Sequence, residues 1–136
     1  GIGYTEYTYT GAGIEADREI SVSAGLPVLL APSLAAYYGL DGGIDQNLYL
    51  EAGLSHEHAL TEALAASLEA AVGYLEPDEG EGGFSHYSAT AGLGYKALSA
   101  SVTYVGQIDD EVLPDVADGG LYDVDVYGVL GLAYEW

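Results

Sequence analysis

Along most of this chain, apolar and polar residues alternate with a period of two. That is the repeat of a β-strand whose two faces meet different surroundings. The run from Tyr122 to Trp136 is the clearest case. Its even positions are Tyr122, Val124, Val126, Gly128, Leu130, Leu132, Tyr134 and Trp136, while its odd positions begin with Asp123 and Asp125 and continue with small or mixed residues. Seven more segments read the same way. The pattern predicts strands near Gly3–Thr10, Arg18–Leu26, Leu34–Leu40, Asn47–Ser55, Leu64–Leu75, Ser85–Tyr95 and Leu98–Val105. One stretch competes: residues 58–73 are Ala-rich with high helix propensity. Leu68, Ala70, Val72 and Tyr74 nevertheless alternate, and Gly73 interrupts the run, so a strand is expected there.

The expected connections are Gly11–Ala16, Pro27–Ser33, Asp41–Gln46, His58–Glu62, Glu76–Gly83, Lys96–Ala97 and Gln107–Leu121. Those after the fifth and seventh strands are long and acidic, and those after the fourth and sixth are short. Short turns at one end and longer loops at the other suit an all-β, antiparallel up-and-down transmembrane β-barrel, most simply of eight strands, with both termini on the short-turn side. A single barrel domain over residues 1–136 is expected.

The polar face distinguishes this barrel from a soluble sandwich. It carries Ser, Thr, Gly and a few carboxylates, with almost no Lys or Arg. A water-facing sheet would carry many long charged side chains. Small polar residues suit the crowded inside of a narrow barrel, which turns the apolar face toward lipid.

Composition strengthens that picture. There are 13 Tyr, 1 Trp, 1 Phe and no Met. Tyr38, Tyr74, Tyr87, Tyr104 and Tyr122 share outward parity at the long-loop ends; Tyr95, Tyr134 and Trp136 share it at the short-turn ends. Two belts of membrane-interface aromatics are therefore expected. No run of about 18 apolar residues exists, so no transmembrane helix is expected. The chain begins at Gly1 without a charged-then-apolar leader; any secretion signal is expected to have been removed or left out.

Lys and Arg total 2 against 22 Asp and Glu, for a net charge of −20. Phosphate binding needs clustered cations, which argues against nucleic acid and anionic membrane surfaces as partners. Cations, basic proteins and divalent-bridged lipids fit better, and acidity also serves solubility in salt without any site. With 0 Cys, neither a disulfide framework nor a thiolate metal site is available.

The last strand resembles the terminal strand of Gram-negative outer-membrane proteins. There, a C-terminal aromatic preceded by apolar residues at alternate positions is read by the barrel-insertion machinery. The resemblance casts Val126, Leu130, Leu132, Tyr134 and Trp136 as that insertion signal, with Gly128 interrupting the row. It implies a place in the outer membrane, with the lipid bilayer, the insertion machinery and other outer-membrane or periplasmic proteins as partners. The rest of the chain is similar to small porin-like barrels of the putative-porin type. Some of these are longer, which leaves open that the chain is part of a larger barrel.

Candidate chemistry is sparse. Glu51 and Glu69 have inward parity on neighbouring strands, and a hairpin centred near Leu60 sets them directly opposite each other. Two facing carboxylates repel unless a proton or cation lies between them. They are expected to share a proton, bind a cation or line a wet lumen, with Asp123 and Asp125 as further lumen carboxylates. The competing reading is a register shifted by two residues, with ordinary solvation. His56, Glu57 and His58 look like metal ligands, but His86 begins a strand at the other rim, roughly 30 Å away along ten residues, so polar turn residues are the plainer reading. Residues 76–83 and the trio Asp109, Asp110 and Glu111 are candidates for weak divalent-cation binding without EF-hand spacing; no other cofactor is expected. No nucleophile elbow or phosphate-cradling loop occurs, and no enzyme is expected. Three readings follow: a structural or partner-binding barrel with a lumen filled by small polar side chains, a cation-selective porin-like conduit, or a soluble barrel carrying a ligand.

Overall fold

The structure is a computed structural model, and it describes residues 1–10, 15–112 and 125–132. Eight strands follow one another: β1 Ile2–Tyr7, β2 Asp17–Gly25, β3 Ser33–Asp41, β4 Leu48–Ala59, β5 Leu64–Glu76, β6 Gly83–Tyr95, β7 Leu98–Gln107 and β8 Val126–Leu132. A 3-10 turn, Gly42–Ile44, separates β3 from β4. Each strand pairs antiparallel with its sequence neighbour, in the order β1 to β8 within one sheet. The up-and-down topology is as expected, but among the described residues the sheet is not closed: β1 and β8 are its two edges.

The Ala-rich stretch is half of the long β4–β5 hairpin, not a helix. Strand pairing on both sides outweighs its local helix propensity, and its side chains are small enough to pack on either face. Several strands run further than the periodicity indicated. β4 continues to Ala59 and takes in His56, Glu57 and His58, so these are strand residues rather than turn residues. β1 stops earlier, at Tyr7. Residues 122–124 and 133–136 of the expected last strand lie outside the described residues.

Turn chemistry sets the connections. β6 and β7 are joined by Lys96 and Ala97, with Lys96 at φ +53°. Short hairpins require such left-handed backbone because it matches the twist of the flanking strands. The Lys96 ammonium then sits 5.4 Å from the Tyr95 ring centre. Between β2 and β3, the Leu26 N–H donates to the Pro32 carbonyl at 3.0 Å and closes the turn.

Two bulges help curl the sheet, one at Arg18/Glu19 and one at Gly73/Tyr74. At the second, Gly73 faces His86 while Tyr74 faces Phe84, which leaves Ser85 as the extra residue. A bulge adds local twist and bends the strand that carries it. The sheet is wrapped far enough that Ser33 of β3 and Tyr127 of β8 line one cavity.

Burial is inverted relative to a water-soluble fold. Among the described residues, no hydrophobic side chain is buried; the buried polar ones are Ser85 (3% exposed) and Thr103 (5%), both on or beside the concave face. The convex face carries Leu34, Leu54, Leu68, Leu93, Val102 and Leu130 in the open, Leu68 at 64% and Leu130 at 87%. Polar side chains are gathered inside and apolar ones are spread outside.

Candidate functional site

Among the described residues, the concave face gathers polar and ionisable side chains from several strands. Its residues come from alternate positions of every strand, as the period-two pattern requires. One row of partners runs Ala35, Glu51, Gly73, His86 and Gln107; another runs Ser55, Glu69, Thr90, Thr103 and Tyr127. Two hollows open on this face. One, of about 340 Å³, is lined by Glu51, Ser55, Glu69, Ser88 and Thr90 among others. The other, of about 430 Å³, is lined by Glu57, Ser67, Glu69, Gly92, Ser99 and Ser101 among others.

Glu51 and Glu69 both reach the first hollow, but they are not opposite each other. Glu51 faces Gly73 and Glu69 faces Ser55. The hairpin turns at residues 60–63, where the N–H groups of Leu60 and Thr61 donate to the Leu64 carbonyl and Thr61 Oγ1 accepts from Ala63 and Leu64. That local turn moves the hairpin's centre past Leu60 and sets the two carboxylates apart along the sheet. The observed register departs from direct pairing by four residues, twice the two-residue shift expected as its alternative. Glu51 instead accepts a 3.1 Å hydrogen bond from the Tyr49 hydroxyl.

A third carboxylate, Glu57, lies on the same concave side, opposite Ser67. Its parity with Glu51 would have revealed it had β4 been extended to its full length. The same extension dismantles the His56–Glu57–His58 cluster. His56 and His58 share the convex face with Leu54, while Glu57 points the other way. Among the described residues, no three His, Cys, Asp or Glu side chains gather as metal ligands. Asp109 accepts from the Glu111 N–H at 2.9 Å, an arrangement within one turn, and Asp110 stands exposed beside it. Asp125 precedes β8, and its carbonyl accepts from the Val105 N–H at 2.7 Å; Asp123 lies outside the described residues.

The aromatics expected at a membrane interface divide between the ends as parity indicates. Tyr38, Tyr74, Tyr87 and Tyr104 stand on the convex face toward the loop ends, and Tyr95 at the opposite, turn end. Tyr87 and Tyr104 are 6.0 Å apart, and Tyr74 meets Phe84 edge-on at 5.6 Å. Phe84 was not expected there. The bulge at Ser85 inverts the alternation and turns it outward, which no period-two count can foresee. Tyr122, Tyr134 and Trp136 lie outside the described residues. Of the expected insertion signal, Val126, Leu130 and Leu132 project from the convex face of β8.

The loop rim is tied together by its few ionic and polar contacts. Arg18 pairs with Asp41 at 2.6 Å and Glu6 at 3.6 Å, linking β1, β2 and β3. Asp17 accepts from the Gly43 N–H at 2.6 Å and from the Tyr9 hydroxyl. The hydrogen bond to that carboxylate holds Tyr9 above the ordinary tyrosine range, because ionising the phenol would forfeit the bond and set two negative charges together.

What the fold and this face define is an eight-stranded antiparallel meander with a polar concave side and an apolar convex side. No family model, curated protein or solved structure matches the chain.

Proposed function

We propose that this chain is an integral outer-membrane β-barrel with a structural or partner-binding role. One observation carries the reading: the inversion of burial, with large apolar side chains open on the convex face and polar ones enclosed. In water, so much contiguous apolar surface would drive association. Against lipid tails it is the favourable arrangement. The inversion also speaks against a soluble ligand carrier, which would keep its apolar residues inside.

Lipid cannot satisfy the backbone N–H and C=O groups of an open edge, so spanning strands have to close. β1 and β8 suit closure upon each other. Setting Gly3 opposite Gly131 and Thr5 opposite Val129 keeps those residues inside, while Ile2 meets Leu132 and Tyr4 meets Leu130 outside. The resemblance of β8 to terminal strands read by the insertion machinery supports the same placement.

A narrow cation-selective conduit is the second reading. It is favoured by the inward carboxylates, Glu51, Glu57 and Glu69 among them, on a face where no Lys or Arg stands among the described residues.

Refolding tests the main reading. The chain should acquire a β spectrum only in detergent or lipid vesicles, migrate faster on gels when unheated, and float with the vesicles. A chain that is monomeric and fully folded without detergent would sink it.

A further inference from the structure

The concave face is not uniform along its length. Toward the loop end it carries Tyr37, Tyr49, Leu75 and His86; toward the turn end it is mostly Gly, Ser, Thr and Ala. The bulky residues also touch. The Tyr49 ring lies parallel to His86, with centres 6.1 Å apart and planes 2° from parallel. Tyr37 packs on its other side at 5.7 Å. Tyr37 and Tyr49 meet as partners on β3 and β4, and Tyr49 reaches across β5 to meet His86 of β6.

Gly73 is what lets them do so. A Cβ at that position would stand 2.7 Å from the Tyr49 hydroxyl oxygen and 2.8 Å from His86 Cε1. Both rings therefore lie down over a bare stretch of β5 backbone. The stack is anchored at its ends: Tyr49 donates to Glu51, and His86 Nδ1 is 3.0 Å from the enclosed Ser85 hydroxyl.

We propose that the stack of Tyr49 and His86 across Gly73, braced by Tyr37, plugs the lumen at its loop end and leaves a polar vestibule open only at the turn end. The proposal rests on the closed-barrel reading and deepens it, because it makes the barrel a dead end to solutes rather than a through-pore. The interior of an eight-stranded barrel is only wide enough for its own side chains to fill, so three rings at one level are enough to block it. Below them the 430 Å³ hollow opens beside Glu57, Glu69, Gly92 and Ser101, with Tyr127 on its wall. Small cations and water are the solutes this vestibule admits.

Planar-bilayer recordings of the full chain test this. The native protein should give no steady conductance. A Tyr49→Ala/His86→Ala double variant, shown to be folded by its heat-modifiable migration, should give cation-selective steps. Tyr38→Ala, which removes a ring from the outer face, should stay silent.

The absence of cysteine allows a second readout. Ser101→Cys places a thiol in the vestibule. In oriented vesicles a membrane-impermeant cationic thiol reagent should label it from the turn side only, and the double variant should lose the protection from the loop side. Steady steps from the native protein, or equal labelling from both sides, would overturn the plug while leaving the barrel intact. A folded double variant that stays silent and protected would overturn it as well. A chain that never enters the bilayer would remove the barrel reading and the plug together.

Discussion

The ring of Tyr87 occupies the space that a side chain at Gly106 would need. A Cβ at Gly106 would lie 2.3 Å from Tyr87 Cζ, and the two residues are direct cross-strand partners on the convex face. Glycine here is the floor on which the Tyr87 ring rests. Replacing it with Ala should push the ring away from Tyr104 and cost about 1–3 kcal/mol, as overpacking does. Urea unfolding in detergent reads the loss. A Gly106→Ala protein as stable as the native one would show that the ring has no fixed seat.

A second relationship is internal. The hydroxyls of Thr90 and Thr103 are 2.8 Å apart, and Thr103 is almost fully enclosed. Thr103→Val should strand the Thr90 hydroxyl at a cost of about 1–3 kcal/mol, and the Thr90→Val/Thr103→Val pair should recover part of it. A double-mutant cycle measures this coupling; a value near zero would mean that water replaces either partner freely.

The lipid-facing reading makes Leu68 a discriminating position. It projects from the middle of the convex face at 64% exposure. Leu68→Arg should cost about 2–4 kcal/mol in a bilayer and hinder insertion. On a soluble protein the same exposed change would stay within about 0.5 kcal/mol. Refolding yield and stability in vesicles therefore separate the two settings at one residue.

Glu51 and Glu69 should behave as independent groups. Glu69 lies four residues along β5 from the partner of Glu51, roughly 13 Å of strand. The effects of Glu51→Gln and Glu69→Gln on stability should add within about 0.5 kcal/mol. Coupling well above that would restore the directly opposed pair.

Alkaline titration probes the loop rim. The bond to Asp17 raises the Tyr9 pKa above its unfolded value of 10.0. Folding therefore favours the protonated phenol, so this contribution is complete below 10.0 and lost as pH rises through the higher folded value. Asp17→Asn should make Tyr9 ionise earlier and remove that part of the alkaline fall in stability. A phenolate difference spectrum between the native and variant chains checks it; coincident curves would rule the bond out.

Alternation alone was enough to locate the strands, their antiparallel order and, away from the bulges, the side of the sheet to which a strand residue belongs. It works because a pleated strand sends successive side chains to opposite faces, and here the two faces need opposite chemistry. Tyr38, Tyr74, Tyr87, Tyr95 and Tyr104 were therefore legible as convex-face residues, and Glu51 and Glu69 as concave ones. What periodicity could not supply was anything that depends on the partner strand. The turn at residues 60–63 decided the register that separates Glu51 from Glu69. The bulge at Ser85 decided the side on which Phe84 falls. The full reach of β4 decided that Glu57 parts from His56 and His58. The aromatic stack over Gly73 needed three strands at once, because a gap left by a missing side chain has meaning only when a neighbour's ring fills it. Period two is a property of one strand and can be read from one; register, bulges and cross-strand packing belong to pairs and triplets, and they exist only once the sheet is assembled.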